Sequence, residues 1–154
     1  MARDIIRSRP SLRRESNSNF LQEFVGNCTL LHVKSKNYHW NVTGPEFPGL
    51  HEMFDDLQKQ AIRCSDEIAE RMRALQMCVD GRASKYIEDS WFAEGKHDSS
   101  AGEMKQDLLN SLESICERTI AYLNSDETDP ITKSLLENCC AELSKYAYFV
   151  RSSI

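Results

Sequence analysis

Apolar residues recur along most of this chain at helical rather than strand spacing. In the first segment Phe20, Phe24, Cys28, Leu31 and Tyr38 return every three, four or seven residues with polar residues between them, which predicts a helix from about Ser18 to Asn41. Gly44-Pro45 and Pro48-Gly49 end it. A second helix is predicted from about Leu50 to Met77, carrying Phe54, Leu57, Ile62, Ile68 and Leu75, with Asp80-Gly81 closing the region. Residues 82–99 are ambiguous: 83–91 fits a short helix lying across the others, followed by a Gly/Ser/Asp-rich connection. A third helix, from about Gly102 to Asn124, offers Leu108, Leu112, Ile115 and Tyr122 to a core. The fourth follows Asp126 to Pro130, a proline suited to a first helical turn, and runs to about Arg151. The sequence contains no strand pattern of comparable length and no internal repeat. The expected fold is all-α, a four-helix bundle with a short extra helix between the second and third helices.

At 154 residues the chain fits one domain with a core of its own. Its 40% hydrophobic and 28% charged residues place it with globular rather than disordered chains. No run approaches the roughly 20 apolar residues of a membrane span, and the opening Met1-Ala-Arg-Asp-Ile-Ile-Arg lacks the apolar stretch of a secretory signal, so a cytoplasmic location is expected. The six cysteines, at 28, 64, 78, 116, 139 and 140, form no C-x-x-C pair, and most fall within helical patterns. They read as small buried residues kept reduced. Charge is unevenly placed. Residues 1–16 carry Arg3, Arg7, Arg9, Arg13 and Arg14 against Asp4 and Glu15, a formal +3, which leaves −8 on the rest of a chain of net −5. A basic arm at 1–16, expected to be flexible, thus precedes an acidic bundle domain at 17–154.

The candidate chemistry lies between His39 and Glu70. His39, His51, Asp55, Asp66 and Glu70 combine two imidazoles with three carboxylates, a ligand mix suited to iron, manganese or zinc rather than calcium. Four of the five lie on the second helix. At about 100° per residue, the steps 51 to 55, 55 to 66 and 66 to 70 turn the helix by only about 40°, 20° and 40°, so all four share one face. At about 1.5 Å per residue, however, Asp55 and Asp66 stand roughly 16 Å apart, far beyond the reach of metal bonds of roughly 2 Å. One helix cannot close one site. Two copies packed antiparallel about a two-fold axis near residues 60 and 61 would set each His51/Asp55 pair against the partner's Asp66/Glu70 pair, giving two equivalent sites roughly 22 Å apart.

The run Asn37-Tyr38-His39-Trp40-Asn41-Val42-x-Gly44-x-x-Phe47-x-x-Leu50-His51-x-x-Phe54-Asp55, followed by Ser65-Asp66-Glu67-Ile68-Ala69-Glu70-Arg71, resembles the signature of the Dps proteins, miniferritins first described as DNA-binding proteins of starved cells. The helical layout of residues 18–151 agrees with that ferritin-like fold. The resemblance implies a dodecameric hollow shell. In it His39, His51 and Asp55 of one subunit, with the Asp66 and Glu70 positions of a two-fold neighbour, form a ferroxidase site that oxidises Fe(II), preferably with hydrogen peroxide, and stores Fe(III) mineral. It also places Trp40 beside the iron site, acidic residues such as Glu52 and Asp56 on an inner wall that seeds the mineral, and acidic pores near Asp126, Glu127 and Asp129.

Other readings stand beside these. Larger ferritins and bacterioferritins use Glu-x-x-His motifs within one subunit, and only Glu94-x-x-His97 fits, in a Gly-containing connection. Zinc or manganese could occupy the same ligands structurally. His32 reads as a packed or hydrogen-bonded histidine, and Trp40 as packing first. Glu52 and Asp56 also fit a solvated helix face, and Asp126, Glu127 and Asp129 fit an acidic helix N-terminus. The five arm arginines suit non-specific DNA phosphates, multiplied over many arms, or an acidic neighbouring surface.

Overall fold

The computed structural model describes residues 9–125 and 128–154, with side chains from Ser16 onward. Among the described residues five helices follow one another: α1 (Arg9–Asn41), α2 (Phe47–Ala74), α3 (Ala83–Glu88), α4 (Ala101–Leu123) and α5 (Pro130–Arg151). Among the described residues there is no strand. The four long helices form the expected bundle, and α3 lies against α1 within the long α2–α4 connection. Among the described residues no helix is long and apolar enough to cross a membrane. α1 and α2 make the most extensive pairing, followed by α4 with α5, and α1–α4 and α2–α5 contacts close the bundle.

The core follows the apolar periodicity. Phe24, Cys28, Leu31 and Tyr38 of α1, Phe54, Leu57 and Ile68 of α2, and Leu108, Leu112, Ile115 and Tyr122 of α4 are all buried, and Phe20 and Leu75 pack at its margin. Ile62 lies outside this core. It is 38% exposed, because the seven residues from Asp55 bring it to within about 20° of the ligand face rather than the core face.

Two helix boundaries also differ from the sequence reading. The described part of α1 already includes Arg9, well ahead of the expected Ser18. The polar run behind Pro10 contains no further breaker. Arg3 and Arg7 lie outside the described residues, and Arg9, Arg13 and Arg14 are described by backbone alone. α2 ends at Ala74, short of Met77, where Gln76 takes the left-handed conformation with φ 61°. Met77 N–H bonds to Met72 C=O at 2.9 Å and Gln76 N–H to Arg73 C=O at 3.0 Å. This is a Schellman stop made without the glycine that usually announces one. Start signals are clearer. Ser100 and Glu103 form a capping box at α4, and Pro130 opens α5 as expected.

Polar residues buried on α1 fix the connections. Asn27, fully buried, donates to Asp89 C=O at 3.1 Å and accepts from Trp91 N–H at 2.8 Å, tying down the end of α3. Lys34, also buried, donates to Asp107 and Ser111 of α4, each at 2.9 Å, while Tyr38 donates to the same aspartate at 2.6 Å. Burial alone pulls the Lys34 ammonium below its usual pKa. The paired carboxylate offsets that cost.

Candidate metal centre

The turn between α1 and α2 determines how the two histidines meet. Val42 N–H still bonds to Tyr38 C=O, Gly44 then adopts φ +104°, and Phe47 N–H returns to Gly44 C=O. Glycine alone takes that φ without strain. The reversal sets the C-terminal end of α1 beside the first turns of α2.

There His39 Nδ1 donates to the backbone carbonyl of His51 at 2.7 Å, and His51 Nδ1 donates to that of His39 at 2.8 Å. The two rings stack with centroids 3.8 Å apart. With both Nδ1 atoms protonated and engaged, each Nε2 keeps the lone pair a metal requires, an orienting arrangement common around metal-bound histidines. His39 Nε2 stands 3.9 Å from Asp55 Oδ1. Two ligands on one ion with bonds of about 2.1 Å are at most about 4.2 Å apart, so this pair fits a shared cation.

Asp55 is held ready in ionised form. Lys36 Nζ lies 2.8 Å and Gln58 Nε2 3.0 Å from its Oδ1, and Lys59 Nζ 2.5 Å from its Oδ2. Hydrogen bonds from Lys36, then Lys59 and Gln58, hold its carboxyl far below the usual range. The two ammonium groups supply the positive charge that a metal would otherwise bring. Sequence reasoning missed these three residues. Gln58 and Lys59 were detectable at i+3 and i+4 from Asp55, and Lys36 shares the face of His39 three residues on.

Asp66 and Glu70 lie farther along the same face of α2. Both are exposed, and neither takes part in a hydrogen bond or ion pair among the described residues. The structure therefore brings together His39, His51 and Asp55 but not Asp66 and Glu70. Among the described residues of one chain, no three His, Cys, Asp or Glu side chains lie close enough to hold an ion. Trp40 is 68% exposed and, on α2, Ile62 is exposed too.

The remaining candidates fall elsewhere. Glu52 and Asp56 are exposed on the next flank of α2. His32 Nδ1 donates to Gln58 C=O at 3.1 Å, a hydrogen-bonded histidine as expected. Glu94 and His97 sit in the α3–α4 connection. Asp126 and Glu127 lie outside the described residues. Asp129 is the N-cap of α5: its Oδ1 accepts from the Ile131 and Thr132 amides at 3.0 and 3.1 Å and pairs with Arg71 at 2.9 Å.

The ferritin-like domain family matches residues 19–154. A DNA protection during starvation protein of Brevibacillus brevis is 31% identical over 134 residues, 86% of this chain and 90% of that protein. The chain belongs to the Dps family of ferritin-like proteins. A second relative, DNA protection during starvation protein 2 of Bacillus anthracis, is 31% identical over 136 residues, covering 86% of this chain and 92% of its own. The crystal structure of a Dps protein from Bacillus brevis superposes with a TM-score of 0.86 at 26% identity, covering 91% of this chain and 95% of that one. Membership fixes the ferritin-like bundle as the frame in which the half-site must be understood.

Proposed function

We propose that this Dps-family chain is a ferroxidase that oxidises Fe(II) at sites shared by two-fold-related subunits and stores the Fe(III) as mineral in a hollow, dodecameric shell. The observation that supports the reading is the pairing of His39 and His51, each ring held through Nδ1 by the other's backbone carbonyl, with an ionised Asp55 3.9 Å from His39 Nε2 and with Asp66 and Glu70 exposed on the same helix face. In this reading His39, His51 and Asp55 of one subunit and the Asp66 and Glu70 positions of the second copy bind the Fe(II) substrate. Carboxylates favour the higher charge of the product, and ligands from two chains leave positions open to an oxidant. Hydrogen peroxide is the preferred oxidant. Two Fe(II) supply the two electrons that reduce one peroxide to two waters, so no hydroxyl radical is released. Trp40 beside the site would intercept a stray oxidising equivalent. Glu52 and Asp56 lie about 100° around α2 from the ligands and are suited to bind the first Fe(III) of the mineral on the inner wall. Entry is assigned to the acidic cluster Asp126, Glu127 and Asp129, of which Asp129 also caps α5 and pairs with Arg71.

Removing Fe(II) and peroxide together would protect DNA in the cytoplasm, in keeping with the names of the relatives. Direct, non-specific DNA binding is assigned to the arm arginines at 3, 7, 9, 13 and 14. Deleting residues 1–14 should abolish DNA retardation in gels while leaving Fe(II) oxidation intact; unchanged DNA affinity refutes the arm assignment.

The deciding experiment is stopped-flow oxidation of Fe(II) with peroxide and with oxygen, comparing wild type with Asp66→Ala and His51→Ala. Wild type should accelerate oxidation, more with peroxide, and each variant should lose most of the acceleration because removing a ligand leaves the metal under-coordinated. Oxidation no faster than buffer would leave the second reading, a shell whose sites hold zinc or manganese structurally.

A further inference from the structure

The face of α2 that carries His51, Asp55, Asp66 and Glu70 holds one large aliphatic side chain. Ile62 is 38% exposed there, whereas Phe54, Leu57, Ile68 and Met72 of the same helix are fully buried. A lone exposed isoleucine is ordinary; this one is set apart by its position. At about 100° per residue, the middle of the four-ligand face lies about 30° from Ile62 on one side and about 30° from Lys59 on the other. Along the helix, residues 59 and 62 also straddle the two-fold axis near 60 and 61. A second copy related by that axis therefore presents its own residue 62 to Ile62. The two Cα atoms are offset by about three residues, or roughly 4.5 Å, along the helices. With helix axes roughly 8–10 Å apart, the Cα separation comes to about 6–8 Å.

Charge along the face favours the same antiparallel pairing. At one end two ammonium groups gather on a single ligand: Lys36 Nζ lies 2.8 Å and Lys59 Nζ 2.5 Å from Asp55, and Lys59 also stands 3.7 Å from Asp56. At the other end Asp66 and Glu70 are exposed, with no hydrogen bond or ion pair among the described residues. Arg73, just beyond them, directs its guanidinium to Met77 C=O at 3.0 Å. A parallel pairing would set carboxylates against carboxylates, whereas the antiparallel one brings the lysine end of each chain to the carboxylate end of the other. Salt screens such attraction. It leaves apolar contact in place, so the side chain at the middle of the seam decides what survives.

We propose that Ile62 packs against its own counterpart in a second copy of this chain, forming an apolar contact between the two shared sites that seats the dimer without metal. The inference rests on the two-fold reading above for the place of the axis, and it adds what holds the chains together before Fe(II) arrives. The contact is uncharged, so it does not compete with cations for Asp55, Asp66 or Glu70. It also lies on the symmetry axis, so every substitution at position 62 enters the interface twice. A carboxylate placed there would meet a second carboxylate at the same spot.

The test is cross-linking of the full chain in chelator. Ile62→Cys is combined with Cys78→Ser, because Cys78 is exposed and the other five cysteines are buried. The protein is treated with diamide and, separately, with a short bis-maleimide. The expected product is a covalent dimer on denaturing gels, mapped by mass spectrometry to a 62–62 linked peptide, with the diamide product reversed by dithiothreitol. A Cα separation of about 6–8 Å overlaps the disulfide range of about 4.4–6.8 Å, and the bis-maleimide covers the remainder. Asp56→Cys in the same background, about 90° from the middle of the face, should give no linked dimer. In sedimentation at high salt, Ile62→Asp should raise the dissociation constant of the metal-free protein by at least roughly ten-fold, and Ile62→Val should stay near wild type. No 62–62 product with either reagent, equal linking at position 56, or Ile62→Asp associating as tightly as wild type would overturn the proposal. The cross-link decides the question even if Ile62→Asp fails to fold. Because it is read without iron, a missing link beside intact Fe(II) oxidation strikes this contact alone, and a clean link without Fe(II) oxidation strikes the ferroxidase reading alone.

Discussion

Co-assembling His51→Ala chains with Asp66→Ala chains tests the half-site geometry directly. In each chain His51 and Asp55 lie one turn apart near the start of α2, and Asp66 follows Asp55 by eleven residues, or roughly 16 Å of helix. Neither pair can serve the other within one chain. In an antiparallel two-fold dimer of one mutant of each kind, one site collects both defects, and the other draws His51 and Asp55 from one chain and an intact Asp66 and Glu70 from its partner. Homodimers of either mutant contain no intact site. Random mixing makes about half the dimers mixed, each with one good site of two, so about a quarter of wild-type sites return. The assay is the initial rate of Fe(II) oxidation, read from Fe(III) absorbance, for shells unfolded together and refolded, with mixing verified by native mass spectrometry. Recovery to about a quarter of the wild-type rate, where each mutant alone gives almost none, supports the shared site. Verified mixed dimers with no recovery would refute it, because a site built within one chain admits no rescue.

Three further outcomes follow from particular contacts. Lys36→Gln removes one of two ammonium groups that compete with a cation for Asp55, and should raise apparent affinity for Zn²⁺ or Fe(II) by roughly two- to five-fold in competition titrations; an unchanged or weaker affinity contradicts this. Asp129→Ala should cost about 1 kcal/mol in urea unfolding at neutral pH through loss of the α5 cap. Burial opposes ionisation of Asp129, but bonds from the Thr132 hydroxyl and amide and the charge of Arg71 outweigh it and lower its pKa. Its stabilisation should therefore be complete above its unfolded value of about 3.9 and disappear as pH falls through the lower folded value, so that mutant and wild type converge in acid. Gln76→Gly should raise stability by about 1 kcal/mol, read as a higher urea midpoint, by relieving the left-handed backbone at the α2 stop.

The sequence revealed the four long helices because Phe24, Leu57, Leu108 and their neighbours repeat at the helical period, and four of the five proposed ligands because they share one such helix. The end of α2 was hidden because Gln76 gives no compositional sign of a left-handed cap. Ile62 belongs to the apolar set of α2, yet its angular position puts it with Asp55 and Asp66. The mutual bonds of His39 and His51 and the Lys36–Asp55 pair depend on how α1 and α2 meet. Spacing along one helix does not record such meetings.

Because each histidine ring is aimed by the other's main-chain carbonyl, its direction is tied to the peptide path as well as to the stacking of the two rings. For protein design this makes the α1–α2 hairpin a transplantable module. Surface residues around it are free to diverge, whereas lengthening or shortening the connector at 42–46 would shift both rings at once. Evolutionary drift should accordingly leave insertions elsewhere, in the long α2–α4 connection, and spare this one.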